Sequence, residues 1–118
     1  MPHMLLINEP IGQRATRSEA EGRDAYERML RWGDNLRERG LLLAAESLAS
    51  LDTAVRVSNP AGKARIVDGP FAEAKEMVGG FFMIDVDSRE EAILLAAECP
   101  AAEWATVEVR ALAPCFMR

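Results

Sequence analysis

The chain opens on His3-Met4-Leu5-Leu6-Ile7-Asn8, a short run in which both alternating faces are apolar. Met4 and Leu6 fall on one side, Leu5 and Ile7 on the other. That is the pattern of a central strand sheltered on both faces. Residues 8–19, with their Pro, Gly and polar content, read as a loop. It runs into Thr16-Arg17-Ser18-Glu19-Ala20-Glu21, where Thr16 with Glu19 and Ser18 with Glu21 form two overlapping capping boxes. From there Tyr26, Met29, Leu30, Gly33 and Leu36 recur at spacings of three and four, an amphipathic helix. Gly40 is placed to stop it in the left-handed conformation.

Residues 41–48, Leu-Leu-Leu-Ala-Ala-Glu-Ser-Leu, predict a second strand, and residues 53–59 a third with alternation at Val55 and Val57. A turn by its Pro and Gly, residues 59–64, leads into a short strand at 64–69, the return arm of a hairpin. Residues 79–86, Gly-Gly-Phe-Phe-Met-Ile-Asp-Val, predict another strand. In 87–100 a second helix is capped by Ser88 with Glu91, carries a stripe of Ala92, Leu95, Ala96 and Cys99, and ends at Pro100. Residues 105–112 form the last strand. Without the hairpin, the order is strand, helix, strand, strand, helix, strand. This predicts one α+β domain over residues 1–118, a ferredoxin-like βαββαβ antiparallel sheet with both helices on one face and an extra hairpin.

Two helices cover one face only, yet the other face is not polar. The first strand is apolar on both sides, and residues 81–86 offer Phe82, Ile84 and Val86 on one side and Phe81 and Met83 on the other. Whichever set is uncovered meets water, each large apolar side chain forgoing about 1.5–3 kcal/mol. A few of these outweigh a typical stability margin of about 5–15 kcal/mol. Pairing two sheets face to face recovers the loss. The expectation is a two-fold homodimer, with an interface near or above about 1,600 Å² and a cavity at the paired sheet face. In the last strand Glu108 and Arg110 look towards that face, and Asp85 projects to the side of Phe81 and Met83. Charges among apolar groups must be paired or used.

Composition narrows the partners. Formal net charge is -5 and the pI about 4.9. The longest basic patch, Arg28 to Arg39, is interrupted by Asp34 and Glu38, so nucleic acid is not expected as a partner. No run approaches the roughly 20 apolar residues that cross a bilayer, and the first residues lack a secretory signal's apolar core. Cys99 and Cys115 do not make a disulfide framework, which reads as a cytoplasmic protein with free thiols. A lone histidine without paired thiols supplies few metal ligands, and neither a metal nor another cofactor is expected.

The chemistry-bearing stretch is residues 67–88, where Asp68, Glu73, Lys75 and Glu76 crowd beside a rigid Gly69-Pro70 step. Asp68 has two readings. It closes the tight turn by accepting amide hydrogen bonds, or it is a cavity carboxylate acting as base. In the second reading Gly69 permits close backbone approach, Phe71 walls the pocket and Lys75 orients a ligand carboxylate. Gly79-Gly80 reads as a bulge or the start of a strand. Glu108 and Arg110 are either a mutual ion pair or, through the guanidinium fork of Arg110, a clamp for an anion. His3 is a strand-end surface residue or a proton carrier. Trp32 and Trp104 read as packing residues.

The stretch from Asp68 to Pro100, with Val107-Glu108-Val109-Arg110, resembles the YCII-related family, in the branch marked by its Asp-Gly-Pro-Phe motif. The likeness extends through the first strand and first helix to nearly the whole chain. It implies a ferredoxin-like subunit and a dimeric α+β barrel. Some relatives are proposed enzymes with a His-Asp pair whose histidine lies on the first helix, and family members often accompany genes for alternative sigma factors. Here the one histidine, His3, is in the first strand, so that pair is not available. The family's usual proline just after the last strand's arginine is also missing. Two functions follow as expectations. In one, a homodimer binds a small organic anion, with cofactor-independent acid-base chemistry at Asp68 and Arg110 as the anion clamp. In the other, a non-catalytic regulatory module contacts a sigma-factor-linked partner.

Overall fold

The computed structural model describes residues 1–118. Six strands and two helices follow in the order β1 (Pro2–Pro10), α1 (Glu19–Glu38), β2 (Leu42–Ser47), β3 (Val55–Ser58), β4 (Arg65–Asp68), β5 (Glu76–Asp85), α2 (Arg89–Glu98) and β6 (Thr106–Ala111). The main sheet runs β2-β5-β1-β6, antiparallel throughout, and β3 with β4 forms a separate ribbon. This is the expected ferredoxin-like α+β arrangement with an inserted hairpin, and β1 is indeed central.

Period-two alternation decides which side chains meet the helices. Leu5 and Ile7 of β1, Phe82 and Ile84 of β5, and Val86 just beyond are buried under α1 and α2. They join Trp32 and Leu36 of α1 and the predicted α2 stripe of Ala92, Leu95, Ala96 and Cys99. Met4, Leu6, Phe81 and Met83 turn to the other face, where they are half-buried in the single chain. His3 shares the parity of Leu5 and is only 3% exposed, with Nδ1 3.1 Å from the Met1 carbonyl oxygen. Its reading as a surface residue fails because strand alternation turns it under the helices.

The helix caps follow the sequence closely. Ser18 and Glu21 exchange both bonds of a capping box, whereas Thr16 donates its hydroxyl to Gln13 O and leaves the alternative box unused. Gly40 adopts φ +72°, and Leu41 and Gly40 donate to the carbonyls of Leu36 and Arg37, a Schellman stop. Ser88 accepts from the Glu91 amide. Strand β5 starts at Glu76, earlier than expected, so the glycine pair lies inside it. Pairing passes from Ile7 opposite Gly80 to Asn8 opposite Val78, which leaves Gly79 as the extra residue of a bulge.

One departure matters for function. Of the predicted α1 stripe, Gly33 and Leu36 are buried, but Tyr26 and Leu30 remain 53% and 49% exposed. The helix is seated by its C-terminal half, where Trp32 meets Phe82 edge to face at 4.9 Å and Gly33 lies against the same ring. Its middle stands off the sheet.

Candidate functional site

The gap under α1 is a cleft of about 450 Å³, inside the range of about 300–1,000 Å³ typical of small-molecule sites. Its floor is Ile7, Phe82, Leu42 and Ala45 from the sheet, and its roof Tyr26, Met29, Leu30 and Gly33 from the helix. At one end the apolar lining gives way to Glu9, Arg14 and Arg17.

Glu9 is there because β1 continues its alternation through a carboxylate. It has the parity of His3, Leu5 and Ile7, points to the helix side, and is 5% exposed. A buried carboxylate must be compensated. The loop after β1 brings Arg14 back over it, with Nε 2.6 Å from Glu9 Oε1. That approach lies outside hydrogen-bond geometry, so the buried Oε1 has an ionic neighbour but no hydrogen bond. The bulge makes room for the pair: a β carbon at Gly79 would lie 2.6 Å from Glu9 Oε1 and 2.9 Å from Arg14 Nη2.

The loop is tied in place by Gln13, whose Nε2 donates to Trp104 O at 2.7 Å. Arg17 donates to Gln13 Oε1 at 3.3 Å and lies 5.6 Å from the centre of the Trp104 ring. Arg28 lies 5.3 Å from the same ring and is paired with Glu103, whose carboxyl the guanidinium holds below its ordinary pKa. Arg14 and Arg37, also on the lining, are matched by Glu9 and Asp34. Arg17 has no carboxylate partner. The cleft thus offers an apolar slot with, at its head, the buried Glu9–Arg14 pair and a guanidinium, Arg17, that makes no direct salt bridge although, after the hydrogen bonds with Ser18, its charge helps lower the pKa of Glu21. Such a lining can hold an elongated organic anion by its charged end.

The residues singled out in the sequence lie elsewhere. Asp68 ends β4 and is exposed; the tight turn after it contains a cis Gly69–Pro70 bond and is closed by the backbone, with Gly69 N–H donating to Ala54 O at 2.7 Å. The close approach at Gly69 is to its own chain, since a β carbon would lie 2.1 Å from Leu51 O. Phe71 is buried beneath the Arg56 guanidinium, 3.6 Å from its ring centre, and Lys75 is exposed. On the open sheet face, Arg110 Nε is 4.0 Å from Glu108 Oε2, and Asn8 Nδ2 donates to Glu108 Oε1 at 2.8 Å. Asp85 is exposed there, 3.7 Å from the N-terminal ammonium. None of them lines the cleft. Glu9, Arg14 and Arg17 were legible only through the parity of Glu9 with the buried half of β1.

No group of His, Cys, Asp and Glu is arranged to hold a metal ion, and no helix is long and apolar enough to cross a membrane. Burial pushes the Cys99 thiol up to about 11, and Cys115 is exposed.

Comparison with known proteins agrees with this fold. An uncharacterized protein of Rhizobium meliloti (strain 1021) is 38% identical over 78 residues, covering 64% of this chain and 63% of that relative. The match therefore spans somewhat less than two thirds of the relative's length. The family model described as the YCII-related domain matches residues 1–115, nearly the full length, and the chain belongs to the YCII-related family.

Proposed function

We propose that the protein binds a small organic anion in the cleft between α1 and the sheet, with Arg17 receiving the charged end and the Glu9–Arg14 pair closing that end of the slot. What carries this reading is the cleft itself, an apolar slot of about 450 Å³ with Arg17, which makes no salt bridge within the chain, at its head. The apolar slot fits a hydrocarbon or aromatic body of modest length. The open sheet face fits this reading less well, because Glu108 already engages Asn8 and lies beside Arg110.

On the same reading, the open face of Met4, Leu6, Phe81 and Met83 meets its counterpart in a two-fold homodimer. The motif Asp68-Gly69-Pro70-Phe71 supports a place in the branch of the family that it marks. Its work here is architectural, since Phe71 seats Arg56 and Gly69 lets two turns touch.

The test is a thermal-shift and NMR titration with octanoate, benzoate and neutral 1-octanol. It uses wild type, Arg17→Gln, Leu30→Trp and Arg110→Ala. The carboxylates should stabilise wild type and Arg110→Ala alike. Arg17→Gln should bind them no better than the alcohol, and Leu30→Trp should bind neither. Equal responses in all four proteins would overturn the assignment.

A further inference from the structure

Beyond its base, the ribbon of β3 and β4 is bare. All eight of its strand residues are exposed, Val57 at 68% and Ile66 at 67%. Val57 faces Ile66 across the ribbon, and Val55 lies beside them on the same face. A lone two-stranded ribbon is marginal in water, and this one leaves its apolar face and both edges unsatisfied. It also reaches away from the body. The radius of gyration is 16.1 Å, against about 13.5 Å for a compact chain of this length.

Its base is nonetheless firmly built. Arg56 lies over Phe71 and pairs with Glu73 at 3.0 Å, and the Gly69 amide closes onto Ala54. A base held this way presents the ribbon as an arm.

Charge indicates what the arm meets. Residues 55–68 carry Arg56, Lys63 and Arg65 against the single acid Asp68, a net +2, in a chain of net -5, which leaves -7 on the rest. Arg56 is matched by Glu73, while Lys63 and Arg65 have no ion-pair partner within the chain. A basic arm with an apolar face, on an acidic body, is complementary to another copy of that body. In a two-fold pair each contact is made twice.

We infer that the β3–β4 arm is a clasp that closes onto a second copy of this chain, burying Val57 and Ile66 and setting Lys63 at its tip, with Arg65 reaching round from the opposite face, against the partner's carboxylates. The claim is independent of the cleft and separable from pairing through the open face.

The test is sedimentation of the full chain across the micromolar range at low and high salt, with hydrogen exchange on residues 55–68. The variants are Val57→Ser/Ile66→Ser, Lys63→Glu/Arg65→Glu and Leu6→Lys. Wild type should dimerise with protected arm amides that lose protection on dilution. Both arm variants should keep the thermal unfolding of the body and raise the dimer dissociation constant about tenfold or more. The charge reversal should also abolish most of the salt dependence. Arm amides that exchange freely in an intact wild-type dimer would overturn the clasp and leave open-face pairing standing. Dissociation by the arm variants but not by Leu6→Lys would do the reverse. A wild type that stays monomeric would end both.

Discussion

Gly79 and Glu9 compete for one space, and the structure gives it to the carboxylate. A β carbon at 79 would stand 2.6 Å from Glu9 Oε1, far inside contact distance. Gly79→Ala should therefore displace the Glu9–Arg14 pair and cost about 1–3 kcal/mol. Glu9→Ala should relieve part of that cost in the double variant, so that the two changes are strongly non-additive. Urea unfolding of the four proteins in the cycle measures the coupling. Simple additivity would mean that the bulge glycine serves some other purpose.

Leu30 and Leu36 stand on the same helix in opposite circumstances. Leu36 is fully buried, while Leu30 is half-exposed over the cleft. Leu36→Ala should cost about 2–5 kcal/mol. Leu30→Ala should cost under about 1 kcal/mol and widen the slot, so that branched or bicyclic carboxylates gain affinity over octanoate. Similar losses at both positions in denaturant titrations would show that α1 closes down on the sheet in solution.

The two cysteines should part company towards thiol reagents. Cys115 is exposed and should react quickly at neutral pH, whereas Cys99 should react only on unfolding, its thiol being held protonated by burial. Mass spectrometry after brief alkylation decides it. Two labels on the folded chain would contradict the buried position of Cys99.

Alkaline stability should carry the same signature. The Cys99 thiol rises from an ordinary 9.0 to about 11 in the folded state. Below pH 9.0 both states hold the proton, and between there and about 11 only the folded state does. Stability then falls as pH rises, by at most about 1.4 kcal/mol per unit. Cys99→Ala should be less stable at neutral pH but lose less over that window. Parallel losses in the two proteins would refute the linkage.

Much of the fold was legible in local pattern. Alternation in β1 separated Leu5 and Ile7 from Met4 and Leu6, Ser18 and Ser88 marked the helix starts, and Gly40 marked a stop, because each signal acts within a few residues. The site was not legible in the same way. Glu9 obeys the alternation of β1, yet a charged residue after Asn8 reads as the strand's solvated end. Its partner Arg14 arrives through a turn. The space for both is left by a glycine seventy residues later, and only the register between β1 and β5 aligns them. Tyr26 and Leu30 belong to a correct helical stripe, but the sequence does not say how far that stripe stands from the sheet. The charged run at Asp68 drew attention because charge beside a rigid turn resembles chemistry. In the structure only Glu73 of that run makes an ion pair, with Arg56 at the base of the ribbon, while Asp68, Lys75 and Glu76 are exposed.

Helix α1 is fastened by Trp32 and Gly33 on Phe82, by Arg28 on Glu103, and through its leading loop by Gln13 on Trp104. None of these moorings uses positions 26 or 30. Relatives can therefore exchange the side chains that shape the slot while the frame stays where it is. If the cleft holds the anion proposed above, single substitutions at these two positions would retune what it accepts at little cost in folding.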